Sequence, residues 1–500
     1  MSAAELKNKL IQLPVLQIVF TAIILFQSLI IISLPLIPSM NDSAWYYMNV
    51  HYVKTGTYIC ESMYPSFHEP SQYYPFLGYS FFLFCCDKFA GLFHTDWATV
   101  VKSVQFLLYI LSAFLVKAIV HQQTGRQKLA YIIAIVFLLY YPYFNYCNFV
   151  MSEIYTGFLV LLTTYLFTGL QANFRTSGAV ALFLVAGYSI LVKPVLLPIV
   201  IVLLLLFLFD TFRAKRYTRL SCMLAVFIFP VSQSVFSKLH YGNYSLQTGL
   251  GWHLWDRVIH YDKLTPKNSA ALEELRNEYA QHGKTVSDGF WWDVAKELSE
   301  LGYTEQQTQE ICRNIALDGI SENTFSYAMN TVYNSGTTFL RPPAIGDVYS
   351  TTEGYLKKVR EFSGEQQHIP LTDQLARQAC FVSAPAEFQS WLIRVNYRIA
   401  QRSHYYGLLF HNRIILLLYL LAGIFNGYVL VKSRFRKHAG MFVIWLIPFA
   451  VDVCSNMLEY SQPRFLLPVF IFVTMSLAVT ADHLVRTLKP QGTKRNEGNN

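Results

Sequence analysis

Charge is scarce in this 500-residue chain: only 14% of its residues are Asp, Glu, Lys or Arg, against roughly 25% in ordinary soluble domains. With 53% hydrophobic and 16% aromatic residues, that shortage excludes an ordinary soluble enzyme and points to a bilayer. The eight cysteines form no CxxC pair and show no metal-ligand spacing with histidine, which excludes the common zinc and dithiol motifs. Cys85, Cys147, Cys222 and Cys454 lie in apolar surroundings and read as packing residues. Cys60, Cys312 and Cys380 fall in segments read below as external, where a disulfide stays open. No internal repeat is present, and low complexity is confined to the tail KPQGTKRNEGNN. The missing duplication weighs against the repeat-built transporters.

What is abundant is long apolar runs. The first, 15–37, has no charge over more than the ~20 residues that cross a ~30 Å hydrocarbon core. It is too long for a signal peptide and no small-residue cleavage site follows, so it reads as an uncleaved first helix. Further runs occupy 97–120, 129–146, 154–170, 177–192, 195–209, 220–236, 407–431, 439–455 and 465–485. The expectation is an all-α polytopic membrane protein with about ten transmembrane helices and both termini on one side. Lys7 and Lys9; Arg126 and Lys128; Arg175; Arg213, Lys215, Arg216 and Arg219; Lys432, Arg434, Arg436 and Lys437; and Arg486, Lys489, Lys494 and Arg495 then all fall on that side. Positive residues in short loops stay in the cytoplasm, so both termini are expected there. The same loops account for the net charge of +9, so no nucleic-acid surface is needed.

Two segments on the opposite side are too long to be simple connections. In 38–96, the run SQYYPFLGYSFFLFCCDKF is interrupted by Asp87 and Lys88 and predicts interfacial helices rather than further crossings. The polar segment 237–406 contains SAALEELRNEYAQ and FWWDVAKELSELG, whose apolar residues recur at three- and four-residue spacing, as in short amphipathic helices. ISENTFSYAMNTVYNSGTTFL reads as another helix, with Ser321 or Asn323 near its start. The chain divides accordingly into an N-terminal membrane module (1–236), an external helical subdomain (237–406), C-terminal membrane helices (407–486) and a cytoplasmic tail (487–500).

Four charged residues sit where spans meet the outer boundary. Asp42 opens the first external loop, Glu153 lies in the turn between the third and fourth spans, Lys193 between the fifth and sixth, and Arg464 begins the last. An ionised group at mid-bilayer costs about 2.5–3.5 kcal/mol on insertion scales, so such residues persist beside partners or a wet cavity. Lys193 is the most informative, because its short loop carries a lysine on the side the positive-inside rule disfavours. Either its ammonium snorkels to headgroups, or it holds a lipid-linked phosphate as a point charge. Arg464 admits the same two readings, or an ion pair with Glu459. Asp42 is either a helix N-cap, with Asn41 and Ser43 as neighbours, or a reacting group. Glu153 is either a polar lid bonded to Ser152 or part of a site.

Taken in order, NDSAWYYMNVHYVKTGTY, YYPFLGYSFFLF, YYPYFNYCNFVMSEIYTGFLVLLTTYLF, GYSILVKPVLLP and EYSQPRFLLPVFIF resemble the successive signatures of the GT-C superfamily of membrane glycosyltransferases. Within it they are most similar to the branch holding protein O-mannosyltransferases and the lipid A aminoarabinose transferase. The resemblance covers the first six spans, the start of the long external segment and the last span. It implies a GT-C-like fold and transfer of a sugar from a polyprenyl-phosphate donor to an extracytoplasmic acceptor, with inversion. It implies that Asp42 is the catalytic carboxylate and that Glu153 helps build the site, holding a divalent metal with Asp42 in some members. Lys193 matches a position associated with the donor phosphate, and Arg464 matches the basic or aromatic start of the last span. Many members carry two adjacent acids in the first loop; here Ser43 follows Asp42, leaving open whether Glu61, Glu69 or no residue supplies a second. Trp45, Tyr46, Tyr73, Tyr74 and Tyr460 are candidates to stack on sugar or acceptor, or else belong to an interfacial aromatic belt.

Two other motifs read as packing. Trp291, Trp292 and Asp293 resemble part of the oligosaccharyltransferase WWDYG signature, but Val294 and Ala295 replace its Tyr and Gly and the stretch is amphipathic. His253, Asp256, His260 and Asp262 fit no ligand set. The rival functions are a lipid or glycan transporter or flippase, and an envelope glycan polymerase or ligase that would work through arginines and a histidine in a large external loop. The expected partners are the lipid-linked donor, a lipid, glycan or protein acceptor, and the bilayer. The expected location is the cytoplasmic membrane with the site facing out, a reticulum protein facing the lumen being the alternative. Donor sugar, acceptor and metal dependence are not encoded in any of these patterns.

Overall fold

The computed structural model describes residues 3–33, 46, 50, 77–95, 97–241, 244, 246, 249–286, 288–341, 409–433, 438–458 and 463–488. Among them the chain is all-helical. In order, the helices are α1 (Ala3–Ser33), α2 (Leu77–Leu92), α3 (Trp97–Thr124), α4 (Gln127–Leu139), α5 (Tyr141–Asn145), α6 (Glu153–Ala172), α7 (Thr176–Val192), α8 (Leu197–Arg213) and α9 (Ile228–Tyr241). There follow α10 (Leu250–Trp255), α11 (Ala270–Gln281), α12 (Trp291–Glu300), α13 (Glu305–Glu322), α14 (Thr324–Leu340), α15 (Arg413–Lys432), α16 (Ala439–Leu458) and α17 (Ile471–Leu488). Among the described residues eight stretches are long and apolar enough to cross a membrane, and the protein is a multi-pass membrane protein. A ninth crossing is made if α4 and α5, bent by 56°, are taken as one broken span. The remaining apolar run expected from sequence is α7, helical but only 17 residues long.

The main core joins α1, α3–α8 and α15–α17. Large apolar side chains such as Ile18, Leu25, Leu29, Leu205, Leu417 and Ile424 point outward, a surface suited to lipid rather than water. The bend between α4 and α5 has a specific cause. Pro142 has no N–H to donate, so the Leu138 carbonyl four residues earlier loses its helical partner. That carbonyl instead accepts from Gln27 Nε2 of α1 at 2.7 Å and from the Tyr109 hydroxyl of α3 at 3.0 Å. Inside a bilayer the lost bond must be replaced in this way.

Helix α2 lies against α3, α6 and α7 around a smaller apolar cluster. Its approach to α7 depends on Gly78: a Cβ there would stand 2.6 Å from the Leu191 carbonyl carbon. The Tyr188 hydroxyl donates to Gly78 O at 2.7 Å and fixes the crossing.

Helices α10–α14 enclose a second core around Trp252, Trp255, Trp291, Leu298 and Ile315. The amphipathic runs expected there form α11 and α12, while the third run divides at Asn323 into the end of α13 and α14. Asn323 Nδ2 donates to Gly319 O at 3.0 Å, closing the first of these helices. Trp291 stacks on Trp252 at 4.3 Å, and Asp256 accepts the Trp291 N–H at 2.9 Å, so these motif residues serve packing and helix initiation. Cys312 is buried in this core with a free thiol; Cys60 and Cys380 lie outside the described residues. Cys147 and Cys222 are buried, Cys454 is half-buried and Cys85 is exposed.

This second core is fastened to α16 by Arg257, whose side chain is fully buried. Its Nε donates to Asn456 O at 2.6 Å, Nη2 lies 3.4 Å from Thr331 Oγ1, and Nη1 pairs with Asp262. Burial pushes the Asp262 carboxyl above the usual range while Arg257 pulls it back.

Candidate active site at the start of α6

The segment that leads into α6 runs through a 3-10 turn at Tyr146–Asn148 before the helix opens at Glu153. Its backbone is irregular and buried, so each polar group needs a partner. Gln105, fully buried on α3, supplies several: Nε2 donates to Cys147 O at 3.1 Å and Phe149 O at 2.9 Å, and Oε1 accepts from the Tyr79 hydroxyl of α2 at 2.8 Å. The Tyr143 hydroxyl reaches Glu153 O and Ile154 O at 3.3 Å. Gly157 makes room for it, since a Cβ there would stand 2.0 Å from Tyr143 Oη and 3.1 Å from Pro468 O.

Lys193 arrives from the opposite direction for a local reason. The residue before a proline is disfavoured in helical conformation, so α7 ends at Val192 and Lys193 is extended, with φ −153° and ψ 107°. Pro194 then opens a new 3-10 turn. The turn of the chain swings the ammonium onto Glu153: Lys193 Nζ lies 3.2 Å from Glu153 Oε1. The carboxylate is 2% exposed and the lysine side chain 14%, so this is a desolvated ion pair at the N-terminal end of α6, where negative charge also meets the helix dipole favourably.

Glu153 Oε2 has no partner among the described residues, and in the segment that leads into α6 the same holds for both amide atoms of Asn145 and both of Asn148. A buried polar atom left without a partner costs about 1–3 kcal/mol, so a polar group that reached these atoms would recover that cost. Tyr46 stands next to the start of α6, its hydroxyl 3.3 Å from Ser152 Oγ and its ring edge-on to Tyr79 at 4.7 Å. The turn Pro463–Val469 packs on α6 and α16, which brings the backbone of Arg464 to the same helix.

Of the residues expected from sequence, Glu153 and Lys193 are therefore in direct contact, with Tyr46 adjoining through Ser152. Asp42, Trp45, Tyr73, Tyr74, Glu61, Glu69, Glu459 and Tyr460 lie outside the described residues, as does the side chain of Arg464. No group of three metal-ligating side chains gathers among the described residues. Glu153 Oε2 is an available oxygen ligand, so a divalent ion would fit only with Asp42 supplying further donors.

Three polar residues escaped the sequence reading. Gln105 is one. Asp452 is another: buried on α16, it accepts from Asn456 Nδ2 at 3.0 Å, and α16 packs on α6 and on the turn after Lys193. The third is His411. Its Nδ1 meets the Phe339 carbonyl at 2.9 Å and must donate there, so Nε2 accepts from the Tyr140 hydroxyl at 2.9 Å. The ring also stacks on Phe470 at 4.2 Å, joining α14, the bend and the last span. In sequence, Gln105 and Asp452 are single polar residues flanked by apolar ones, the only signal that could have marked them, while His411 opens the polar triplet His411–Arg413 just before a span.

No family model matches the chain, and no curated protein matches it. Among solved structures it is similar to the oligosaccharyltransferase of Archaeoglobus fulgidus. Against the complex with zinc and sulfate, the TM-score is 0.39 at 11% identity, covering 93% of this chain and 49% of that one. Against the AglB complex with an inhibitory peptide and a dolichol-phosphate, the TM-score is 0.38 at 11% identity, covering 96% and 52%. Against the form tethered to an acceptor peptide, the values are 0.40, 11%, 94% and 51%. The chain thus spans about half the length of these archaeal proteins.

Proposed function

We propose that the protein is an integral-membrane glycosyltransferase that moves a sugar from a polyprenyl-phosphate donor to an acceptor hydroxyl on the extracytoplasmic side, with inversion. The observation that carries this reading is the desolvated Lys193–Glu153 pair, in which Glu153 Oε2 has no partner among the described residues. A snorkelling lysine would extend to headgroups; this one is turned onto a buried carboxylate. That arrangement holds a cation in a low-dielectric setting, where a departing phosphate is stabilised far more than in water.

The chemistry divides among residues as follows. Asp42 accepts the acceptor's hydroxyl proton while that oxygen bonds to the anomeric carbon. The bond from that carbon to the phosphate oxygen breaks, and the phosphate leaves with the electron pair toward Lys193 and Arg464. Attack opposite the leaving group inverts the anomeric centre. Glu153 fixes the Lys193 ammonium in place, and Tyr46, with Trp45, Tyr74 and Tyr460, offers aromatic faces to sugar or acceptor. A divalent ion on Asp42 and Glu153 would add positive charge at the phosphate.

The decisive experiment is mass spectrometry of glycolipids and glycoproteins from cells with wild-type protein, without it, and with Asp42→Asn. The expected result is a glycosylated product present only with wild type, while the variant accumulates in the membrane to wild-type level. An Asp42→Asn protein that still makes the product overturns the assignment of the base.

A further inference from the structure

Helix α14, within the polar segment expected to be external, is built inside out for a helix that meets water. Its sequence TFSYAMNTVYNSGTTFL has no charged residue in 17 positions, whereas the preceding α13 carries Glu305, Glu310, Arg313, Asp318 and Glu322. Tyr327, Thr331, Ser335 and Thr338 are buried on the side that faces the protein. On the other side Phe325, Met329, Val332 and Tyr333, at three- and four-residue spacing, are 78%, 51%, 66% and 71% exposed. A helix at a water surface buries its apolar stripe and presents charge outward. Helices in lipid gain nothing by burying apolar groups and pack through small and hydroxyl-bearing residues instead. The second pattern is the one α14 follows.

Its placement agrees. Tyr327 donates to Met457 O at the end of α16, and Phe339, near the other end of α14, stacks on Tyr419 of α15 at 5.7 Å. The Tyr419 hydroxyl in turn accepts from Phe449 N of α16 at 3.1 Å. Helix α14 therefore runs antiparallel beside α16, from the end of that span inward. Ile414, Leu417 and Leu421 of α15 and Phe449 and Met457 of α16 are themselves exposed, so α14 is packed against two spans that present apolar surface to lipid. The turn Pro463–Val469 packs on both α16 and α6, with Pro468 O beside Gly157, which puts this end of α16 on the Glu153 side of the bundle. The last carbonyls of a helix lack intrahelical donors, and within a bilayer they need protein partners. Here Phe339 O accepts from the buried His411 Nδ1 at 2.9 Å. Glu322 and Arg341 bracket the uncharged stretch, and an arginine stem is long enough to carry its head back to the interface.

We infer that α14 is inserted in the bilayer leaflet on the Glu153 side, with Phe325, Met329, Val332 and Tyr333 against lipid acyl chains. The helix is thus a wall of the membrane domain, although it is not a span. This placement is independent of the reaction proposed above.

The test uses the purified full-length protein in phosphatidylcholine nanodiscs, with two readouts by peptide mass spectrometry. Hydroxyl-radical footprinting oxidises methionine and tyrosine that water reaches. Relative to the intrinsic reactivity of each side chain, Met329 and Tyr333 should be oxidised at least tenfold more slowly than His282, which is exposed at the end of α11. Phosphatidylcholine bearing a diazirine midway along an acyl chain should, on illumination, leave adducts on Phe325–Tyr333 at a yield within threefold of that on Leu417–Ile424 of α15. Oxidation of Met329 and Tyr333 at the rate of His282 overturns the inference and makes this a water-facing surface. Protection without acyl-chain adducts also overturns it, and shows that another segment of the chain or a second copy covers the face.

Discussion

Replacing Lys193 with Met removes one partner of a buried ion pair and leaves the Glu153 carboxylate, 2% exposed, without its cation. Removing one partner of such a pair costs about 3–5 kcal/mol, whereas replacing both with neutral groups of similar volume is close to neutral. The 14% exposure of the lysine side chain admits some solvent and places the expected loss near the lower figure, about 3 kcal/mol. Lys193→Met should therefore unfold early in a detergent titration with SDS, and the double variant Lys193→Met, Glu153→Gln should recover to within about 1 kcal/mol of wild type. The double variant then separates stability from binding. Folded but lacking the ammonium, it should bind a polyprenyl phosphate at least tenfold more weakly, which corresponds to about 1.4 kcal/mol. If the single variant is as stable as wild type, the pair is not desolvated. If the double variant binds the lipid phosphate as tightly as wild type, Lys193 is not a phosphate ligand.

Gln105→Leu deletes hydrogen bonds to Cys147 O, Phe149 O and Tyr79, and should destabilise the protein by about 3 kcal/mol, since stranding a buried polar atom costs about 1–3 kcal/mol; wild-type stability in the same SDS titration would refute the role given to it. Gly157→Ala places a methyl on the Tyr143 hydroxyl and should cost about 1–3 kcal/mol by overpacking, with Gly157→Ala, Tyr143→Phe recovering part of the loss in the same assay. Arg257→Met strands Asp262 and releases the Asn456 carbonyl; limited proteolysis should cut the α10–α14 region faster than in wild type, and an unchanged pattern would show that other contacts fasten the subdomain.

Where the sequence was legible, a period or a run carried the information. The apolar stretches and the amphipathic helices around Ala270–Gln281 and Trp291–Glu300 follow from spacing alone, because burial of one face leaves its mark at every turn. The level shared by Glu153 and Lys193 could be read from span counting, but their contact could not. It depends on Pro194 forcing Lys193 out of the helix and on the bend that turns α6 toward it. Gln105, His411 and Asp452 were passed over because their partners are largely backbone groups or near neighbours whose positions exist only after folding. His411 illustrates this most sharply, since its carbonyl partner Phe339 is 72 positions away in the chain.

The stretch from Tyr140 to Ser152 shows how stability and function are divided in this region. Irregular backbone inside a membrane protein is tolerated only where other groups satisfy it or where it lines a cavity. Here the backbone need is met from outside the stretch and by its own tyrosine. Gln27 and Tyr109 take the carbonyl freed by Pro142, Gln105 takes two more, and Tyr143 covers the first carbonyls of α6. The side chains of Asn145 and Asn148 and one oxygen of Glu153 receive no such cover among the described residues. Asn145 and Asn148 are fully buried, so a purely structural break would keep them only if residues outside the described ones complete their amides. Their partners must come from outside the described residues, from the chain's own remaining segments or from a bound molecule, and a phosphate-linked sugar offers the acceptors and hydroxyls that amides and a carboxylate would bind.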